Sequence, residues 1–369
     1  MTTLLVNRIL KHLKSAASIS ASQSLIIALG LICLRSNNRY VANQFQVPPN
    51  SFMLDWITPE TLLIQTISRY LILWDDLEPT QEWVLSQIPS YMLDAVKDKD
   101  LSCHPKYEHI FHCYHSMVAG LCFVISLRYA SSCNADAFTC FLVFLQEVNN
   151  ILQSRSYSVK FGHSRKLYEI VLRNCLGCIS SALAILMAGS GNSAVLKILK
   201  GMQAESGSEF SYGYHLCVNM SLGLLFLANG TATIGTSNKA IAALVCSFFP
   251  LYPKSVTDNR QHLQALRHLW VLAVENRCLV TRDVDSGKVV CVPVQIYNKT
   301  DTNLSIMTEF SPVILPEYHT ILKIHIDGPR YWDIVVPIDS IKQSGNTVWV
   351  QRKSRYLSYI EVISVAYIF

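Results

Sequence analysis

Charge is what this sequence has least of. Only 15% of its 369 residues are Asp, Glu, Lys or Arg, while half are hydrophobic. That balance is unusually apolar for a small soluble enzyme; it suits buried stacked helices, a large assembly or a membrane protein. Acidic residues are missing altogether before Asp55, a stretch that holds Arg8, Lys11, Lys14, Arg35 and Arg39. The remainder is neutral, 26 basic against 26 acidic residues. No dense basic stripe appears, so the footprint of a DNA or RNA binder is absent. There is no GxSxG, no P-loop and no ordered Ser/His/Asp set. Neither an active site nor a cofactor is expected.

The basic start followed by LIIALGLICL (25–34) has the outline of a signal or transit peptide, but RSNNRY follows it rather than a small-residue cleavage pattern. Residues 174–196 and 210–238 carry no formal charge and are long enough to span a bilayer. Each contains a Gly/Asn/Ser turn that lipid would penalise, so buried soluble hairpins are the better reading, with no membrane partner. Of the twelve cysteines, Cys33, Cys122, Cys140, Cys217 and Cys246 sit inside apolar runs as small hydrophobes, which fits a reducing compartment.

Four segments share one pattern: an apolar helix with a small residue at its centre, a polar turn, an Asn, and a second apolar helix. They are residues 26–45, 117–144, 182–199 and 221–248. The small residues are Gly30, Gly120, Ala184 and Gly223; the asparagines are Asn38, Asn134, Asn192 and Asn238. The separations are 8, 14, 8 and 15, so two turns are short and two long. Asn is a favoured N-cap. A recurring small residue in mid-helix costs propensity, which predicts close passage of a neighbouring helix. Both are demands of a solenoid, whose hairpins bury their apolar faces only against one another.

The third copy, ALAILMAGSGNSAVLKIL, also contains GxGxxA, the glycine fingerprint of dinucleotide binding. That site needs a strand before the glycines, a second strand after the helix and an acid about 20 residues on. After Leu199 no convincing strand follows, Glu209 lies at the right distance but in a Gly/Ser-rich loop, and the sister copies have RSNN, SSCN and GTSN at the same place. The glycines therefore read as a turn.

Two further helices are predicted. Residues 59–76 present Leu62, Leu63, Thr66, Ile67, Tyr70, Leu71 and Trp74 on one face; residues 257–275 begin at Thr257/Asp258 and turn Leu263, Leu266, Leu269, Trp270 and Ala273 inward. Residues 277–297 read as a hairpin around DSGK, and 319–339 and 346–353 continue in β-branched and aromatic residues. The expected fold is mainly α, a helical solenoid over 1–276 followed by a small β-rich domain over 277–369.

The best metal candidate is CHPKYEHIFHCYH, with Cys103, His109, His112 and Cys113, but its spacing matches no standard zinc module. A capping or solvated role is the plainer reading. Cys175 and Cys178 form a CxxC inside an apolar helix without a second pair, and Asp75-Asp76 read as a solvated helix end. Surfaces for partners or a domain junction are placed at Asp258, Asn259, Arg260 and His262, and at Arg330, Tyr331 and Trp332, where polar, basic and aromatic groups combine.

LDWITPETLLIQTISRYLILWDD, ALAILMAGSGNSAVLKIL, MSLGLLFLANGTATIGTSNKAIAALVC, TDNRQHLQALRHLWVLAVENRCLV and GPRYW occur here in one order. Together they resemble the C-terminal part of the subunit 1 family of the anaphase-promoting complex, or cyclosome. The helical motif alone is shared with the large non-ATPase scaffolds of the proteasome regulatory particle, where it is called the proteasome/cyclosome repeat. The resemblance implies a partial toroid of such repeats and a β-containing C-terminal domain. It implies a non-catalytic scaffold of a RING-type ubiquitin ligase controlling mitotic progression and exit, in nucleus and cytoplasm. The implied partners are the cullin/RING module, tetratricopeptide-repeat subunits and coactivator. The family's scaffold is several times longer, so this chain is expected to start inside the repeat array and to stop short of the family's C-terminus.

Overall fold

The computed structural model describes residues 2–14, 18–97, 105–153, 165–204, 212–253, 257–258, 264–299 and 304–353. Two compact units are present: Met1–Phe226 with Ile234–Val274, and Leu227–Thr233 with Glu275–Phe369. The fold class is the expected one, a helical solenoid and a β domain.

In the first unit, five apolar helices stack in chain order: Ile19–Ile32, Pro59–Ile72, Pro105–Arg128, Arg165–Leu186 and Tyr212–Leu225. We call them the inner helices. Shorter or more amphipathic helices return between them, among them Ser90–Lys97, Ala135–Gln153 and Ser193–Ala204, each against the next inner helix. The inner helices are apolar nearly all round because they are enclosed nearly all round. Two are long and apolar enough to cross a membrane; the Tyr107–Arg128 span lies wholly inside the array and the Glu169–Leu186 span mostly so.

The helix expected over 59–76 forms as Pro59–Ile72 and stops short, with Trp74–Asp76 a separate 3-10 turn. Thr58 accepts from the Thr61 N–H, proline occupies the first turn, and the predicted inward residues are buried. Small residues set the approach on both its sides. A Cβ on Gly30 would lie 2.9 Å from the Ser68 Cβ, and one on Gly120 would lie 3.2 Å from the Leu63 carbonyl oxygen. Ala184 is fully buried. Gly223 departs from the expectation: it is exposed, and a Cβ there would meet nothing within 4 Å. The close approach in that helix is at Gly213, where a Cβ would stand 2.5 Å from the Pro253 carbonyl oxygen.

Residues 264–273 also differ from expectation. They form a 3-10 helix rather than an α-helix. At three residues per turn, Gln264, Arg267, Trp270 and Ala273 share the inward face. Leu266 is consequently exposed and Leu269 only half-buried, while Arg267 is buried. Leu263 lies outside the described residues.

Among the described residues, the second unit holds two four-stranded sheets. One runs Thr347–Val350, Cys278–Asp283, Val289–Val290, with Val313–Ile314 also paired to Cys278–Asp283. The other runs Leu304–Phe310, Pro293–Lys299, Ile321–Gly328, Tyr331–Val336, all antiparallel. Inward residues such as Leu279, Val294, Ile296, Ile324 and Ile326 fill the core. The DSGK turn forms, with Asp283 Oδ1 accepting from the Asp285 and Ser286 N–H groups. Its hairpin is shorter than expected, pairing only Thr281 with Val290 and Arg282 with Val289. Beyond it Val292 turns into the core, and Pro293, which has no N–H to donate, opens a strand of the other sheet. Pro337 then starts a short helix, Ile338–Gln343, that the β-rich composition concealed.

Candidate functional site

The glycines of GSGN have no phosphate cradle around them. Gly189 and Gly191 take positive φ, 76° and 60°, the left-handed region that glycine enters without strain. Their N–H groups donate to the Leu224 and Leu225 carbonyls, each at 3.0 Å, at the end of the next inner helix. Between them, the Ser190 hydroxyl donates to the Met187 carbonyl at 2.7 Å and accepts from the Asn192 N–H at 3.2 Å. Asn192 in turn caps the following helix, accepting from Ala194 and Val195. The N–H groups a ligand would need are already occupied.

Two sister turns have the same construction. In RSNN, Arg35 and Asn37 take φ of 58° and 51° and donate to the Leu71 and Ile72 carbonyls, both at 2.9 Å. In SSCN, Ser131 and Cys133 take 53° each and donate to Ile185 and Leu186 at 3.0 and 3.3 Å. Ser36 and Ser132 repeat the role of Ser190. Asn38 and Asn134 repeat the cap, to Val41 and Ala137. Periodicity alone showed the asparagine but not the serine two residues earlier, or the alternating left-handed residues. In the fourth copy the cap shifts: Ser237 accepts from Ala240 at 3.2 Å, and Asn238 is the first helical residue. Serine and asparagine are nearly equal caps. Of the four copies only this turn is long: the second, expected to have a long turn, runs from Arg128 to Asn134 as the first runs from Ile32 to Asn38. Here Leu225 is followed by a longer segment that ends on Ser237.

The histidine cluster is partly brought together. His109 Nε2 lies 3.2 Å from the Leu54 carbonyl oxygen and 3.5 Å from Cys113 Sγ. Both belong to the Pro105–Arg128 helix; Cys103 lies outside the described residues. Burial, then the neighbouring His109, brings the His112 pKa down to about 4; burial, then His112, brings His115 to about 3. Among the described residues no three His, Cys, Asp or Glu side chains form a group that could hold a metal. Cys175 and Cys178 are buried against Ser116 and the Ala119 carbonyl. Burial pushes the Cys175 thiol up to about 12, far from the thiolate that redox chemistry requires. A cleft of about 230 Å³ is lined by Phe45, Thr66, Arg69, Tyr70, Gln87 and Met117. Its polar walls already have partners, Tyr70 donating to Gln87, another wall residue, at 2.6 Å and Arg69 to the Ala42 carbonyl at 3.0 Å.

Of the expected partner surfaces, Asn259, Arg260 and His262 lie outside the described residues, and Asp258 is half-buried. GPRYW forms a hairpin turn in which Arg330 is exposed and Trp332 is 57% exposed, with the Lys353 ammonium 5.7 Å from its ring centre. Tyr331 is not surface: at 8% exposure it belongs to the β core, because alternation along the strand sends it opposite to Trp332. The residue that sequence reasoning missed is Arg267, inside TDNRQHLQALRHL. It donates to Gln264 Oε1 (2.7 Å) and to the carbonyls of Ser247 (2.9 Å), Phe249 (3.2 Å) and Leu251 (3.1 Å). Its guanidinium lies 4.0 Å from the Tyr252 ring centre. A polar residue at the 3.0 period was the available signal.

Comparison with known proteins agrees with this architecture unit by unit. Residues 9–275 match the family model described as "APC1 fifth domain", and residues 277–364 match "APC1 beta sandwich domain". Human anaphase-promoting complex subunit 1 is 36% identical over 354 residues, covering 91% of this chain and 18% of its own length. The Dictyostelium discoideum protein of the same name is 34% identical over 361 residues, covering 89% and 16%. A protein of Emericella nidulans named "Negative regulator of mitosis" is 31% identical over 361 residues, covering 94% and 16%. The chain thus spans under a fifth of the length of these relatives.

Proposed function

The chain belongs to the anaphase-promoting complex subunit 1 family, and on that premise we propose that it acts as a non-catalytic scaffold within that complex. The observation that carries the reading is the match to one family across both units, 9–275 and 277–364. The site geometry supports it. The candidate nucleotide loop spends its N–H groups on repeat-to-repeat bonds, and burial holds the His115 imidazole and the Cys175 thiol of the inner helices in their neutral forms. What remains outward is a stacked helical array and a sheet domain, surfaces suited to docking other proteins.

In this reading the complex is a multisubunit RING-type ubiquitin ligase that drives mitotic progression and exit. Its chemistry lies on the cullin/RING module, and the scaffold's partners are that module, tetratricopeptide-repeat subunits and the coactivator, in nucleus and cytoplasm. Affinity purification from mitotic cells tests the proposal. Co-recovery of cullin, RING and tetratricopeptide-repeat ligase subunits is the expected result. Recovery of proteasome ATPases instead would move the chain to the other scaffold that uses this repeat.

A further inference from the structure

The main-chain ladder between repeats has a gap. RSNN, SSCN and GSGN each tie to the following inner helix through two N–H···O=C bonds. The turn after Pro59–Ile72 reads Leu73-Trp74-Asp75-Asp76 and closes as a short 3-10 turn. Among the described residues it sends no main-chain hydrogen bond to the Pro105–Arg128 helix. One side chain spans this junction, the Arg128 guanidinium donating to the Trp74 carbonyl. The turn's other side-chain bonds run back to the first turn, the Asn37 amide donating to Asp75 and Arg39 reaching Asp76 at 3.4 Å. Asp75, Asp76 and Arg39 are all exposed, where such pairs add little.

Residues 234–236 touch both neighbours of this weak turn. The Ser131 hydroxyl donates to the Ile234 carbonyl at 2.7 Å, and Arg35 donates to the Thr236 carbonyl at 2.6 Å. Arg35 and Ser131 hold the same position, the first left-handed residue, in the turns before and after it. Arg35 also stacks over Trp74, 4.5 Å from the ring centre, so one side chain joins the segment, the first turn and the weak turn. The residues come from the long turn of the fourth copy, whose extra length the repeat pattern left unexplained.

We infer that Ile234–Thr236 is a splint across the junction of the second and third inner helices, bracing a turn that, among the described residues, lacks the main-chain rungs of its neighbours. A stacked array is held mainly by contacts between neighbours, so a junction short of rungs opens first. The splint adds a contact between non-neighbours there. It lets the fourth copy bear on the geometry of the first two and of the Pro59–Ile72 helix between them.

Hydrogen–deuterium exchange of the full chain tests this, with Ser131→Ala, Ser131→Ala/Arg35→Gln, and Ser190→Ala as the control turn. Loss of one hydrogen bond, worth about 1 kcal/mol, corresponds to about fivefold in local opening. Ser131→Ala is expected to speed exchange of the Leu73–Leu77 amides about fivefold, and the double variant more, with residues 189–191 unchanged. The Ser131 side chain bonds to Ile234, so a response at Leu73–Leu77 reports transmission through the splint. Faster exchange at 234–236 with Leu73–Leu77 unchanged would overturn the inference, as would an equal response of Leu73–Leu77 to Ser190→Ala. Should the double variant not fold, Ser131→Ala alone decides between these outcomes.

Discussion

Arg267 is a buried cation held by carbonyl oxygens rather than by a carboxylate. Three of its acceptors follow one another at and beyond the end of the Asn238–Ser247 helix, where main-chain oxygens have run out of partners. The helix dipole and the Tyr252 ring face supply the negative potential that holds the charge. Arg267→Met keeps the length of the stem and removes every donor. It relieves the cost of burying a guanidinium but orphans the carbonyls of Ser247 and Phe249, while the Leu251 carbonyl keeps the Gln264 amide as donor at 3.2 Å. At roughly 1–3 kcal/mol per orphaned group, partly regained by water, the net loss is on the order of 3–4 kcal/mol. Arg267→Lys keeps the charge but cannot fork to several carbonyls at once, so about half that loss is expected. Urea unfolding of the full chain, followed by circular dichroism, measures both. Midpoints should fall in the order wild type, Lys, Met, with unchanged slope. A Met variant within about 1 kcal/mol of wild type would refute the view that Arg267 organises this corner.

The buried histidines predict the acid response. Their folded pKa values, about 4 for His112 and about 3 for His115, lie below the unfolded value, so the unfolded chain takes up protons first as pH falls. Stability is therefore full above about pH 6.5 and lost below it at about 1.4 kcal/mol per pH unit per histidine. His115→Phe should flatten this slope in melting curves taken between pH 7 and pH 4; an unchanged slope would contradict the assignment. Gly30→Ala, which sets a methyl 2.9 Å from Ser68 Cβ, is expected to cost about 1–3 kcal/mol. Gly223→Ala, in open space on a helix, should be neutral or stabilising by up to about 1 kcal/mol. Thermal denaturation of the pair compares them, and equal effects would count against the packing argument. Ser237→Ala should lose about 1 kcal/mol of cap energy while Asn238→Ala loses little, and the reverse order would restore the asparagine as the cap.

What was legible in the sequence had a local cause. Asn38, Asn134 and Asn192 declare helix starts through their own side chains, and Gly30 and Gly120 mark contacts because a small residue in mid-helix needs a reason. The misses share a different cause. Gly223 sits at the aligned position without a neighbour, while Gly213, outside the alignment, has the contact. Residues 264–273 satisfy a period of 3.6 on paper, but 3.0 is the period that places Arg267 against the oxygens of another segment. Tyr331 and Trp332 look alike as sequence and are separated only by strand alternation. The carbonyls that receive the turn N–H groups lie some 35 to 55 residues away, beyond any local pattern.

The coupling between successive turns and helices is written in main-chain atoms. Arg35, Ser131 and Gly189 have little in common chemically, yet each offers the same N–H in the same direction. The main-chain rungs themselves therefore survive substitution at these corners, provided the chain still bends left-handed; what changes is the contact each side chain makes, such as those of Arg35 and Ser131 to residues 234–236. Each corner is left with a side chain of its own choosing, a set of distinct labels on an otherwise uniform frame.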